Sequence, residues 1–318
     1  MTERLTNTHI VFMGTPAFAA TILKTLHDSG LCIDAVYAQP DRPKGRGQKM
    51  AAPPVAIYAK EHNLPLYQPE RVNDETVLKH IEALKPDFLI VAAYGKMLPE
   101  RLLSIPQKES LNVHASLLPK YRGAAPINYA LLHGEEKTGV AIMRVVKQMD
   151  AGPVFLSKEL TITPEDTSVT LTHKLAYLGS QAIIEAIEAI KNNNLTPTNQ
   201  EAHLVTFAPK MSRDLSPIDW TKPSLEIFNQ IRALLPWPTA TTSLNQLPLK
   251  IYASKVINID KQGSPGKMIH IGKNGLTIQT GQGELLITEV QIQGKKRMSA
   301  FDLANGLRLK ADSVILGT

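Results

Sequence analysis

Asn112 and His114 stand two residues apart in the apolar run LNVHA. Side chains on a strand alternate faces, so these two polar groups point one way while Leu111 and Val113 point the other. A buried parallel strand is apolar on both faces. A same-face polar pair breaks that pattern near the strand's C-terminal end, where open α/β sheets bind their ligands. An amide can donate to an oxygen that gains negative charge, and an imidazole can carry a proton near neutral pH. Together they suit attack on a carbonyl-type carbon. Two satisfied core polar residues that tie down the following loop are an equal reading of the strand alone. The catalytic reading needs a carboxylate to set the imidazole's orientation or charge. Asp150, in the turn of VVKQMDAGPVF, is the candidate, although an Asp before Gly in a turn is commonplace.

Other chemistries lack their residues. Cys32 is the only cysteine, which removes intrachain disulfides and multi-thiolate zinc sites, and the nine His form neither HExxH nor a closely spaced set. Gly14, Thr15 and Pro16 lack the G-x-G-x-x-G spacing, and DRPKGRGQK lacks the P-loop pattern. No metal, NAD or ATP is expected. The longest apolar runs, such as FLIVAAYG, are far shorter than the ~18 residues of a membrane helix, and MTERLTNTH has no signal-peptide core. A cytoplasmic protein with no membrane partner is expected.

The elements that position these groups read as an α/β fold, a Rossmann-like, mainly parallel sheet with helices on both faces. Short β-branched runs (HIVFMG, CIDAVYAQ, LPLYQ, DFLIVAAYG, LNVHA) alternate with helical segments, followed by the strand pair TGVAIMRVV and GPVFLSKEL and a long helix to about residue 191. The polar, aperiodic stretch NNNLTPTNQEAH reads as a linker. Beyond it, a helical piece near PSLEIFNQIRALLPWP and Gly/Pro-separated runs from TATTSL to GELLITEVQI suggest an OB-like β-barrel. The expected division is a catalytic domain over 1–191, a linker over 192–206 and a C-terminal domain over 207–318.

Charge sharpens that division. Over 1–206, 21 Lys and Arg meet 21 Asp and Glu; over 207–318, 14 meet 8, so the net +6 lies in the last third and favours a polyanionic partner there. Within the balanced part, PDRPKGRGQK gathers Arg42, Lys44, Arg46 and Lys49 with Asp41 as the only nearby acid. Two Pro and two Gly make a loop without helix or strand the expectation. Its place after the second strand brings it to the C-terminal edge of the sheet, suited to phosphate contacts; a solvated surface loop is the bland alternative.

Asn112, His114, the following SLLPKYRGAAPIN and the distal DAGPV resemble the folate-dependent formyltransferase family. VFMGTPAFA, QPDRPKGRGQKMAAPPV, PWP and GKKRMSAFDL extend the resemblance over essentially the whole chain, to the family's tRNA-directed members. The resemblance implies that Asn112, His114 and Asp150 are catalytic, and that Ser116, Leu117, Leu118 and Pro119 line the site of 10-formyltetrahydrofolate. It implies that Tyr94, Gly95, Lys96 and Leu98 border the pterin through the backbone, and that the basic insert engages the acceptor end of tRNA. Lys295, Lys296 and Arg297 become candidates for tRNA backbone contacts, and Phe18 for the pocket of a methionine side chain. The implied activity is transfer of the formyl group to the α-amino group of methionine on initiator Met-tRNA, by a monomer. Formylation of an amino sugar on a nucleotide-sugar is the runner-up, disfavoured by the basic insert. The chain departs from the family pattern at Ala17, Lys44 and Ala115. Ala115 replaces a Gly beside the folate segment and resists φ > 0.

Overall fold

The computed structural model describes residues 7–44, 47, 49–312 and 314–317. The first strands and helices follow the apolar periodicity: β1 (His9–Gly14), α1 (Ala17–Asp28), β2 (Cys32–Tyr37), β3 (Arg42–Lys44), β4 (Lys49–Ala51), α2 (Pro54–Glu61) and β5 (Leu66–Tyr67). Then come α3 (Glu75–Leu84), β6 (Phe88–Ala92), α4 (Glu100–Leu103), β7 (Glu109–His114), α5 (Pro126–Leu132), β8 (Lys137–Arg144), β9 (Val154–Thr161) and α6 (Ser168–Lys191).

Seven strands form one sheet in the order β5-β2-β1-β6-β7-β8-β9. The first five run parallel, whereas β8 is antiparallel to both β7 and β9. β6 is buried at every position, as a strand covered on both faces must be. On one face Val11, Met13, Tyr37, Leu89 and Val91 meet Leu78 and Ile81 of α3 and Leu102 of α4. On the other, Gly179 of α6 sits against Ile22, Val113 and Val140 so closely that a Cβ there would lie 2.8 Å from Val113 Cγ1. Burial of each such aliphatic side chain is worth about 1.5–3 kcal/mol. Asn112 pairs in register with Val91, so it lies on the face of α3 and α4, opposite Val113.

The basic insert differs from its expectation, because β3 and β4 pair antiparallel, Arg42 with Ala51, Pro43 with Met50 and Lys44 with Lys49. Among the described residues the ribbon has two strands, both edges, so Pro43 lacks no ladder bond that a third strand would need.

The chain divides into two compact units, Met1–Pro126, Lys137–Thr161 and Thr172–Ala208 in one, and Ile127–Glu136, Ile162–Leu171 and Pro209–Thr318 in the other. Residues 192–206 therefore belong to the first unit; Thr198 and Val154 exchange two backbone hydrogen bonds of 2.8 Å.

The second unit contains α7 (Ser224–Ala233), β10 (Ala240–Leu244), β11 (Leu247–Asn258), β12 (Met268–Gly272), β13 (Gly275–Gln279), β14 (Glu284–Ile292), β15 (Met298–Ser299) and α8 (Ala300–Gly306). Its antiparallel sheet runs β10-β11-β14-β13-β12, with β15 beside β14. Residues 315–317 bridge both edges, Gly317 to Ser243 beside β10 and Ile315 to Lys267 beside β12, which closes the sheet into a barrel. The short β15 and α8 carry too little periodicity to be expected, but Ser299 caps α8 by accepting from Asp302 N at 3.0 Å.

Candidate active site

The end of β7 and the two loops beside it build the site. His114 is buried, its side chain 6% exposed, and Nε2 meets the Tyr121 carbonyl at 3.0 Å. A carbonyl only accepts, so Nε2 carries the proton in that bond and Nδ1 is the nitrogen turned toward Asp150, 3.7 Å from Oδ1. The second carboxylate oxygen, Oδ2, accepts Gly123 N–H at 2.8 Å. Tyr121 and Gly123 thus hold the imidazole and the carboxylate from positions two residues apart. Both take left-handed backbone, φ 62 and 124. A Cβ on Gly123 would also lie 2.6 Å from Ala208 O, so only glycine fits there.

Asp150 itself has φ 50. That region costs an ordinary residue about 1–2 kcal/mol, and Asp tolerates it best alongside Asn. The DAG of the sequence has a local reason: a Cβ on Gly152 would lie 1.9 Å from Arg144 O, so glycine lets the β8–β9 connection fold back over the end of β8. Asn112 is half-buried, and its amide has no protein hydrogen-bond partner among the described residues. It offers two donors and an acceptor on the same face as His114.

The segment after His114 turns away from the strand. Ser116 is fully buried and donates to Lys120 O at 2.6 Å. Leu117 reaches over β8, where a Cβ on Gly139 would come within 2.5 Å of Leu117 Cδ2. The Leu118–Pro119 peptide is cis, and Pro119 O accepts from Thr206 N at 3.4 Å. Ala115 is buried and is not among the described residues with positive φ, so the replacement of Gly imposes no left-handed strain.

The other expected contact segment is held by its backbone. Tyr94 O accepts from Thr15 Oγ1 at 2.9 Å, which ties the exit of β6 to the exit of β1. The Tyr94 ring and Leu98 belong to the core under α3 and α4. Burial pushes the Tyr94 hydroxyl up to about 12, and that hydroxyl has no partner among the described residues. Gly95 is exposed with φ 86, and Lys96 Nζ donates to the carbonyls of Glu70 and, at 3.5 Å, Pro69. The Glu70 carboxylate meets Arg42 at 3.3 Å. Glu70, which no sequence pattern singles out, therefore brings the β6 exit and the basic insert together.

Arg42 and Lys49 are exposed on β3 and β4; Lys44 ends β3, and Arg46 lies outside the described residues. Phe18 is buried. In the second unit Lys295 and Lys296 are exposed, while Arg297 is engaged, paired with Glu289 and 4.3 Å above the Tyr252 ring. Gln200, read as part of a linker, makes four hydrogen bonds to the loops that carry Arg122 and Asp150. A polar residue in a polar, aperiodic stretch carries no sequence signal for this. Among the described residues no group of three or more His, Cys, Asp or Glu could hold a metal, and no helix is long and apolar enough to cross a membrane.

Comparison with known proteins gives the chain its family. The formyl transferase model matches residues 8–187, which include Asn112, His114 and Asp150, and the model of the formyl transferase C-terminal domain matches residues 210–308. The chain belongs to the formyl transferase family. This formyltransferase is 43% identical over 96% of its length to the methionyl-tRNA formyltransferase of Alkaliphilus oremlandii, covering 99% of that protein. It is 41% identical to the methionyl-tRNA formyltransferase of Bacillus subtilis, over 97% of this chain and 98% of the relative. Its fold is shared by a sugar 3N-formyl transferase crystallised in the presence of dTDP and 5-N-formyl-THF, with a TM-score of 0.67 at 19% identity, over 91% of this chain and 99% of the other.

Proposed function

We propose that this formyltransferase moves the formyl group of 10-formyltetrahydrofolate to the α-amino group of methionine on initiator Met-tRNA, producing formylmethionyl-tRNA for translation initiation. The observation that carries the reading is the near-full-length similarity to proteins named methionyl-tRNA formyltransferase, at 41–44% identity, spanning both units. The sugar transferase neighbour shares the fold at 19% identity, so it does not argue for a sugar acceptor.

The site's residues suit the chemistry. Formyl transfer forms a C–N bond to the amine and breaks the C–N10 bond of the folate, while the attacking amine gives up a proton and N10 takes one. Asn112, whose amide has no protein partner among the described residues, donates to the formyl oxygen as negative charge develops there. His114 has its Nε2 proton committed to Tyr121 O, so Nδ1 and the Asp150 carboxylate are the groups that hold and pass the travelling proton. Ser116 to Pro119 and the backbone of Tyr94 to Leu98 would line the formyl-folate. Arg42, Lys44, Arg46 and Lys49 would hold tRNA phosphates near the acceptor end. The enzyme acts as a cytoplasmic monomer without a metal.

The test mixes purified protein, 10-formyltetrahydrofolate and initiator Met-tRNA and looks for formylmethionine on the tRNA, with elongator Met-tRNA and an amino-sugar nucleotide alongside. Formylation of the initiator tRNA alone is expected. Formylation of the sugar nucleotide, or of none of the three, would overturn the reading.

A further inference from the structure

Gln200 hydrogen-bonds to both loops that hold the His114–Asp150 pair. Its Oε1 accepts from Arg122 Nε at 3.0 Å and from Nη2 at 2.8 Å. Its Nε2 donates to the carbonyls of Asp150 at 2.8 Å and Gly152 at 2.7 Å. A guanidinium only donates and a backbone carbonyl only accepts, so the partners allow one orientation of the amide. The bonds from the Arg122 cation polarise that amide and strengthen its two N–H donors.

The two carbonyls flank Ala151, so the amide spans the turn in which Asp150 takes its left-handed backbone. Arg122 lies between Tyr121, whose carbonyl holds His114, and Gly123, whose N–H holds the carboxylate. One side chain therefore fixes the backbone that aims the carboxylate and, through Arg122, the segment that receives it. The brace that carries Gln200 is fastened on either side. Thr198 pairs with Val154 at the start of β9, Arg122 N donates to Thr206 O at 2.9 Å, and Ala208 N donates to Arg122 O at 2.8 Å.

We infer that Gln200, backed by Arg122, is a positioning residue that sets the Asp150 carboxylate against His114 for proton transfer. It touches no reacting atom; its effect runs through Asp150. The inference rests on the formyl-transfer reading above.

The experiment measures formyl transfer to initiator Met-tRNA by wild type, Gln200→Ala, Gln200→Glu, Asp150→Asn and the Gln200→Ala/Asp150→Asn double variant, with thermal unfolding of each. Gln200→Glu keeps an acceptor for Arg122 and removes both donors to the turn, so it tests positioning even where the alanine variant folds poorly. Misplacement of a catalytic group by about 1 Å can cost on the order of a hundredfold in rate. Both single variants at Gln200 should lose roughly ten- to a hundredfold in kcat, with both KM values within about threefold of wild type, the signature of an interaction expressed after substrate binding. In the Asp150→Asn background, Gln200→Ala should cost less than about threefold more, because residues that act as a unit are not additive. Equal losses in both backgrounds, or rates that follow the folded fraction alone, would overturn the inference. Absence of transfer by wild type would count against the proposed function and not against Gln200.

Discussion

His114 Nδ1 faces Asp150 Oδ1 at 3.7 Å, with the carboxylate held in place by its other oxygen on Gly123 N–H. The spacing is too long for a hydrogen bond, so what the carboxylate offers Nδ1 is its negative charge. Asp150→Asn keeps an acceptor for Gly123 and removes the charge. It should lower kcat by about a hundredfold or more, the range of acid–base contributions, and leave KM for formyl-folate within a few fold. A wild-type kcat in this variant would show that the carboxylate has no part in proton transfer.

Asn112 should behave differently from a structural polar residue. Its amide has no protein partner among the described residues, so Asn112→Ala removes no hydrogen bond there and should leave thermal stability near wild type. Loss of an oxyanion donor costs about a hundred- to a thousandfold in kcat in acyl-transfer sites, and a loss of that size is expected here. Steady-state rates beside a melting curve check both halves.

Much of this site is legible in the sequence, and the boundary of legibility is physical. Asn112 and His114 stand out because a strand's period of two makes a same-face polar pair visible against apolar neighbours. The fold order is legible for the same reason: buried parallel strands such as FLIVA and amphipathic helices such as α3 carry strong periodicity. Asp150 is ordinary until its company is known. Gln200 and Glu70 are invisible, because each is a polar residue in a polar stretch whose partners lie dozens of positions away. The β3–β4 ribbon escapes because Pro and Gly signal a loop, and a two-stranded pairing of exposed edges needs no hydrophobic alternation.

Gly123 offers a test of the backbone. At its φ of 124 a side-chain Cβ would lie 2.6 Å from Ala208 O, which leaves no room for one. Gly123→Ala should cost about 1–3 kcal/mol from the backbone conformation alone and displace the N–H that holds Asp150. A fall of several degrees in Tm together with reduced kcat is expected. An unchanged Tm with full activity would show that the loop relaxes freely.

Replacement of Arg42 tests its proposed tRNA contact apart from folding. Its pair with Glu70 is exposed on both sides, and such pairs contribute about 0–1 kcal/mol. Arg42→Ala should therefore barely move the melting temperature or formyl-folate binding. It should weaken productive Met-tRNA binding about tenfold or more and reduce the salt dependence of binding by about one unit of slope. Titration of Met-tRNA at several salt concentrations reads this directly, and an unchanged slope would mean that Arg42 meets no phosphate.

Tyr94 gives a prediction at alkaline pH. Burial raises its hydroxyl to about 12 in the folded chain, whereas an unfolded tyrosine ionises near 10. Below about pH 10 both states keep the proton and stability is unaffected. Between about 10 and 12 the unfolded state releases the proton while the folded state holds it, so stability falls as pH rises, by up to about 1.4 kcal/mol per pH unit from this one group. Tyr94→Phe removes that proton from the balance. Because the hydroxyl is buried without a partner among the described residues, the variant loses no hydrogen bond there and should be as stable as wild type at pH 8, or more so. Urea midpoints at pH 8 and pH 11 should diverge less for the variant than for wild type. Equal divergence in the two proteins would show that the Tyr94 proton is released equally in both states.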